Sequence, residues 1–177
     1  MRVRTETAAA GGVTGGWPAA SFPRVLLVPA DAGRGETEPP PGARRILVVE
    51  DEGLVALEIE TFLGGAGHDV VGTAAGRADA VALARFERPD LALVDVRLAN
   101  GDSGLDLAAD LAALGVPVLL VTGNCPQELG RAVALGCLHK PFDESQLLTA
   151  VALATRLARG GAAGPEGLPS GFHLYRA

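Results

Sequence analysis

Five residues stand out for the chemistry they could do together: Glu50, Asp51, Asp95, Thr122 and Lys140. Each closes or directly follows a short apolar run. Glu50 and Asp51 come after "ILVV", Asp95 after "LALV", Thr122 ends "VPVLLVT", and Lys140 follows "GCLH" and precedes Pro141. Three carboxylates gathered within a few ångströms cannot all stay ionised without a cation. An oxygen-only donor set of this kind suits Mg²⁺, which takes one or two carboxylates beside a phosphate oxygen and keeps several waters. An aspartate can attack phosphorus to give an acyl phosphate, so Asp95 is the natural nucleophile. The metal would neutralise charge on the transferring group, Lys140 would hold another of its oxygens, and Thr122 would make one hydrogen bond to it. Strand ends are often polar simply because they meet solvent. That accounts for any one of these residues better than for the set.

The elements that must position them form a regular alternation. The runs "RILVV", "HDVVGTA", "LALVD", "VPVLLVT" and "GCLHK" are short and rich in Val, Leu and Ile. The central ones are apolar on both faces, as in a parallel sheet covered on both sides. Helical patterns separate them. Val55, Ile59, Phe62 and Leu63 repeat at helical spacing before Gly64-Gly65, and "GRADAVALARFER" ends before Pro89. Leu107, Ala108, Leu111 and Leu114 share one side of a third helix, with Ser103 as its N-cap and Asp102 and Asp106 as acids that complement its dipole. "PQELGRAVALG" is a weaker helix, and Asp143 with Gln146 resembles a capping box for a fifth. Five strands alternating with five helices predict a doubly wound α/β domain with a parallel sheet. In such sheets the ligand site lies beyond the carboxyl ends of the strands, which is where all five chemical residues fall.

Composition narrows the function further. The 177 residues carry a net charge of −6, and aromatics make up only 4%. Both argue against nucleic acid as the main partner, since a binder of that kind needs basic patches and stacking platforms. No apolar run reaches the roughly 18–20 residues that span a bilayer, and the N-terminus lacks a signal-peptide core, so a cytoplasmic location is expected. Residues 1–43 hold seven glycines and six prolines and are expected to be a flexible extension, although "RVLLVP" within them could form a strand. The stretch 160–177 is again Gly/Pro-rich and is expected to be a disordered tail. Cys125 and Cys137, twelve residues apart and outside any CxxC, are expected to be two free, buried or half-buried thiols.

Taken together, "ILVVEDE", "LALVDVRL", "VLLVTG" and "HKPF", in this order and spacing, resemble the receiver domain of two-component response regulators, over residues 44–159. The resemblance implies a flavodoxin-like fold with strand order 2-1-3-4-5. It implies Glu50 and Asp51 as the acidic metal-binding pair and Asp95 as the phosphoacceptor and a metal ligand. Thr122 takes the place of the switch hydroxyl, Lys140 of the family's lysine, and the backbone carbonyl of Arg97 of the remaining protein ligand to Mg²⁺. The Lys140–Pro141 bond is commonly cis in this family. The partners implied are a histidine kinase or a histidine phosphotransfer protein, with the receiver a monomer or weak dimer.

Two features depart from the family pattern. The switch aromatic usually lies three residues before the lysine, and that position is Cys137 here. The loop after Thr122 is Gly123-Asn124-Cys125-Pro126. Signal transmission through this loop and the weak fourth helix, instead of through a ring rotation, is therefore expected. His68 and His139 are expected to be ordinary strand-edge residues. No output domain is expected after Ala158, so the chain would act by protein contact, catalysing only its own phosphorylation and dephosphorylation. An alternative is a receiver-shaped interaction module that works without phosphorylation. A phosphatase is disfavoured because the acid/base expected two residues past the nucleophile is replaced by Arg97.

Overall fold

The computed structural model describes residues 42–162 and 168–175. Its elements are β1 (Arg45–Val49), α1 (Gly53–Gly65), β2 (Asp69–Ala74), α2 (Arg77–Glu87), β3 (Leu91–Val94), a 3₁₀ turn (Ala99–Gly101), α3 (Gly104–Ala113), β4 (Val118–Thr122), α4 (Gln127–Val133), β5 (Gly136–His139), α5 (Glu144–Ala158) and β6 (Phe172–Leu174). The sheet runs β2-β1-β3-β4-β5-β6. Its first five strands are parallel, in the 2-1-3-4-5 order that the resemblance implies.

Period-two alternation in the strands sorts the core onto two faces. Leu47, Val49, Ala92, Val94, Val118 and Leu120 point to one side, where Ala80 and Ala84 of α2 and Leu107, Ala108 and Leu111 of α3 meet them. Ile46, Val48, Leu91, Leu93, Leu119 and Val121 point to the other, against Ile59 and Leu63 of α1 and Leu147, Ala150, Val151 and Ala154 of α5. Each large side chain buried this way contributes about 1.5–3 kcal/mol. Two layers of helices on one sheet are thus what the uninterrupted apolar strands require.

The helix ends show which polar residues hold the frame. Ser103 accepts a hydrogen bond from the Asp106 amide at 3.3 Å, and Asp143 with Gln146 forms a complete capping box at the start of α5. Asp102 differs from expectation. Its carboxylate accepts the Arg77 amide at 2.8 Å and so caps α2, whose own N-cap residue is Gly76, without a side chain to do it. Arg77 Nε also meets Asp110 Oδ2 at 2.7 Å, a second tie between α2 and α3. Leu114 is exposed at the C-cap of α3 and is not on its buried side.

Three further expectations are corrected or fall outside the described residues. The sheet has six strands, because residues expected in a disordered tail form β6. It runs antiparallel to β5, pairing Gly136 with Leu174, Cys137 with His173 and Leu138 with Phe172. The Gly/Pro content of the tail concealed this, since the anchors are Phe172 and Tyr175, both buried, and their seats lie in other elements. A Cβ at Gly136 would sit 2.7 Å from the Phe172 ring, and one at Gly130 of α4 would overlap the ring of Tyr175. Cys125 and Cys137 are joined in a disulfide, with Cα atoms 5.9 Å apart, in place of two free thiols. The β4–β5 register puts Cys137 beside Leu120, and both sulfurs belong to the face that packs on α3 and α4, a closeness that sequence separation does not reveal. Of the expected extension, 1–43, residues 1–41, with "RVLLVP", lie outside the described residues.

Candidate functional site

The site is assembled by strand register. Val49 of β1 pairs with Val94 of β3, and the Asp95 amide donates to the Val49 carbonyl at 2.9 Å, so Glu50 and Asp95 emerge side by side. Thr122 of β4 pairs with His139 of β5, and the Lys140 amide donates to the Thr122 carbonyl at 2.9 Å. Lys140 is followed by a cis bond to Pro141, as the resemblance implies. From the end of β5 its side chain reaches over β4 to the two acids. Lys140 Nζ lies 2.7 Å from Asp95 Oδ2 and 2.6 Å from Glu50 Oε2.

Burial makes this cluster electrostatically demanding. Glu50 is 3% exposed, Asp95 7% and Thr122 3%. Desolvation pushes the Glu50 carboxyl above its usual range, with the Asp95 charge adding to it, while the hydrogen bond and charge of Lys140 oppose the shift. Burial would by itself lower the Lys140 ammonium, but its hydrogen bonds to Asp95 and Glu50 and their charges outweigh that and leave it above its ordinary value. The ammonium therefore stays charged, and the cluster holds one fixed cation against an excess of carboxylate.

The second oxygen of Asp95 is also held. The backbone amide of Arg97 donates to Asp95 Oδ1 at 3.2 Å, while the Arg97 side chain is exposed. Sequence reasoning assigned Arg97 a carbonyl role and overlooked this amide. It also overlooked Gly104, the first residue of α3. The Gly104 amide donates to the Val96 carbonyl at 2.9 Å, and a Cβ there would overlap the carbonyl oxygen of Asp95. Only a glycine lets α3 close against the loop that carries Asp95.

Carboxylate oxygens of Glu50, Glu52 and Asp95 lie within 4.8 Å of one another. This hard, all-oxygen set fits a magnesium ion. Asp51 and Glu52 are both exposed on the turn between β1 and α1; the trio takes in Glu52, whose amide donates to Glu50 Oε1 at 3.3 Å. Thr122 is brought to the rim, buried, at the end of β4. Among the described residues, the groups that hydrogen-bond the Asp95 carboxylate are Lys140 and the Arg97 amide.

The model of the response regulator receiver domain matches residues 46–152, which spans β1 to the middle of α5 and every residue named above. The chain belongs to the response regulator receiver domain family. This receiver is 45% identical, over 116 residues, to the phyllosphere-induced regulator PhyR of Methylorubrum extorquens, an alignment covering 63% of the chain and 43% of that relative. The chain thus spans less than half the length of that relative. Among solved structures, it superposes on the signal receiver domain of a modulated diguanylate cyclase from Desulfovibrio desulfuricans G20 with a TM-score of 0.61 and 31% identity, covering 66% of this chain and 97% of that one. It also superposes on the anti-anti-sigma factor PhyR from Bartonella quintana with a TM-score of 0.54 and 28% identity, covering 67% of this chain and 49% of that one. Among the described residues, no helix is long and apolar enough to cross a membrane.

Proposed function

We propose that this receiver is a phosphoacceptor switch that takes a phosphoryl group onto Asp95 from a histidine kinase or histidine phosphotransfer protein and signals by protein contact. One observation carries the reading: the Asp95 carboxylate sits at the sheet rim, clamped by Lys140 from across β4 and flanked by Glu50 and Glu52. In the transfer, an Asp95 oxygen bonds to phosphorus as the phosphorus–nitrogen bond of the donor phosphohistidine breaks, and the imidazole leaves with a proton. Lys140 is already within bonding reach of Asp95 and can follow a phosphoryl oxygen placed there. The Arg97 amide keeps Asp95 oriented. Thr122, at the end of β4, would hydrogen-bond the same group. A magnesium ion bound by Glu50, Asp95 and a neighbouring acid, Asp51 or Glu52, with the Arg97 carbonyl as a further ligand, would supply the charge neutralisation that one ammonium leaves incomplete. Hydrolysis of the acyl phosphate resets the chain, which acts as a catalyst on itself alone. The likeness to a protein described as an anti-anti-sigma factor supports output through another regulatory protein.

The test is to incubate the chain with acetyl phosphate and Mg²⁺ and weigh it intact. Wild type gains one phosphoryl group, and Asp95→Asn gains none. Equal uptake by both proteins, or none by wild type, would count against the reading.

A further inference from the structure

We propose that Cys125 and Cys137 are a reversible thiol–disulfide site whose redox state sets how firmly the loop after β4 and helix α4 are held to the sheet. The inference goes beyond the role of Asp95 and requires no phosphoryl transfer.

The bond joins two strategic points. Cys125 stands three residues past Thr122, and Cys137 three before Lys140. The disulfide therefore ties the loop leaving one strand of the site to the strand that delivers the other. The segment it encloses contains α4, seven residues long. That helix buries only Gly130 along its length, and its N-cap, Pro126, has no side-chain acceptor for the free amides. Val133 adds a partly buried contact. A helix with so little of its own to hold it depends strongly on a covalent tie at its entrance.

The two sulfurs differ in a way that suits exchange. Cys137 is fully buried, whereas Cys125 is only partly so and lies on a loop. Oxidation by a peroxide balances as follows. The Cys125 thiolate takes one peroxide oxygen and becomes a sulfenic acid, and the hydroxide released takes back the thiol's proton as the first water. The Cys137 thiol then displaces that oxygen as a second water and the sulfur–sulfur bond forms. A dithiol reverses the change. One of its sulfurs attacks Cys125, Cys137 leaves and takes up a proton, and the second sulfur of the dithiol displaces Cys125 and carries the disulfide away. In a reducing compartment, such a pair is characteristically redox-sensing or catalytic and not a permanent brace.

The experiment uses the full chain in native buffer. It is oxidised with hydrogen peroxide, then reduced with dithiothreitol, with intact mass, iodoacetamide labelling and amide exchange followed in each state. The oxidised chain should be lighter by two hydrogens and refuse the label, and dithiothreitol should restore both thiols while the protein stays folded. Exchange of residues 123–135 should quicken on reduction by at least several-fold and up to roughly a hundredfold, the ceiling that loop closure sets for a ring of this size, with strands β1 and β3 unchanged. Cys125→Ser, which leaves the buried Cys137 in place, should exchange like the reduced wild type under both conditions. Three results would each overturn the proposal: both cysteines still alkylated after peroxide, a disulfide that yields only on unfolding, or equal exchange in the two states.

Discussion

At the scale of single residues, Lys140 and Gly104 hold the site by opposite means, one by charge and one by having no side chain. Lys140 is the counter-charge to two buried carboxylates. Removing it leaves them uncompensated, a loss of about 3–5 kcal/mol in a fully buried pair and less here because the ammonium keeps some contact with water. Lys140→Ala should therefore cost about 2 kcal/mol in urea unfolding without metal, and added Mg²⁺ should recover part of it, since ammonium and metal draw on the same oxygens. Equal loss with and without Mg²⁺ would show that the metal binds elsewhere. Gly104→Ala acts sterically: its Cβ collides with the Asp95 carbonyl, and crowding of that kind costs about 1–3 kcal/mol. It should both destabilise the fold and slow acetyl-phosphate uptake, whereas alanine at the exposed Gly64, which meets nothing, should do neither. The acids after β1 were legible because they interrupt an apolar run. Which exposed neighbour of Glu50 brings a carboxylate oxygen near it was not, because that depends on how the chain enters α1 and not on residue type.

At the scale of elements, α4 and β6 support each other. Tyr175 is buried against Gly130, and its hydroxyl has no partner among the described residues. Burial pushes that phenol up, with the nearby Arg131 pulling the other way. Two substitutions separate the effects. Tyr175→Phe removes only the unpaired hydroxyl and should leave stability unchanged or raise it by up to about 1 kcal/mol. Gly130→Ala gains about 1 kcal/mol of helix propensity but must displace the ring, and the crowding should win, giving a net loss. In a Tyr175→Ala background the same Gly130→Ala change should become stabilising. A double-mutant cycle by urea unfolding checks this, and additive effects would mean that the two residues do not touch. The five βα units could be read from their apolar runs, and the caps at Ser103 and Asp143 from residue type and spacing. β6 could not: three residues between Gly/Pro-rich flanks have no period, and their seats are glycines far away in the chain. The disulfide was hidden for the same reason, as it depends on the β4–β5 register.

At the scale of the whole molecule, the two ends of the sheet differ in character. The carboxyl end carries the acid cluster. Near the other end, before β2, His68 accepts the Arg44 amide on Nδ1 at 3.2 Å. Burial first, and then the Arg44 charge, hold its imidazole below the ordinary value of 6.5. The unfolded chain therefore binds this proton before the folded one does. The His68 contribution is complete above the unfolded value and erodes as pH falls through about 6.5. Stability should drop as pH falls through about 6.5, and His68→Gln should flatten that slope; an unchanged slope would assign it to other groups.

The central claim is that the ends of β1, β3, β4 and β5 form one metal-dependent phosphoryl site around Asp95. Calorimetric titration with beryllofluoride, a phosphoryl mimic, in the presence of Mg²⁺ tests it most directly. One site should appear on wild type, vanish when Mg²⁺ is chelated, and be absent from Asp95→Asn. Binding that is equally strong in Asp95→Asn, or indifferent to Mg²⁺, would contradict the account.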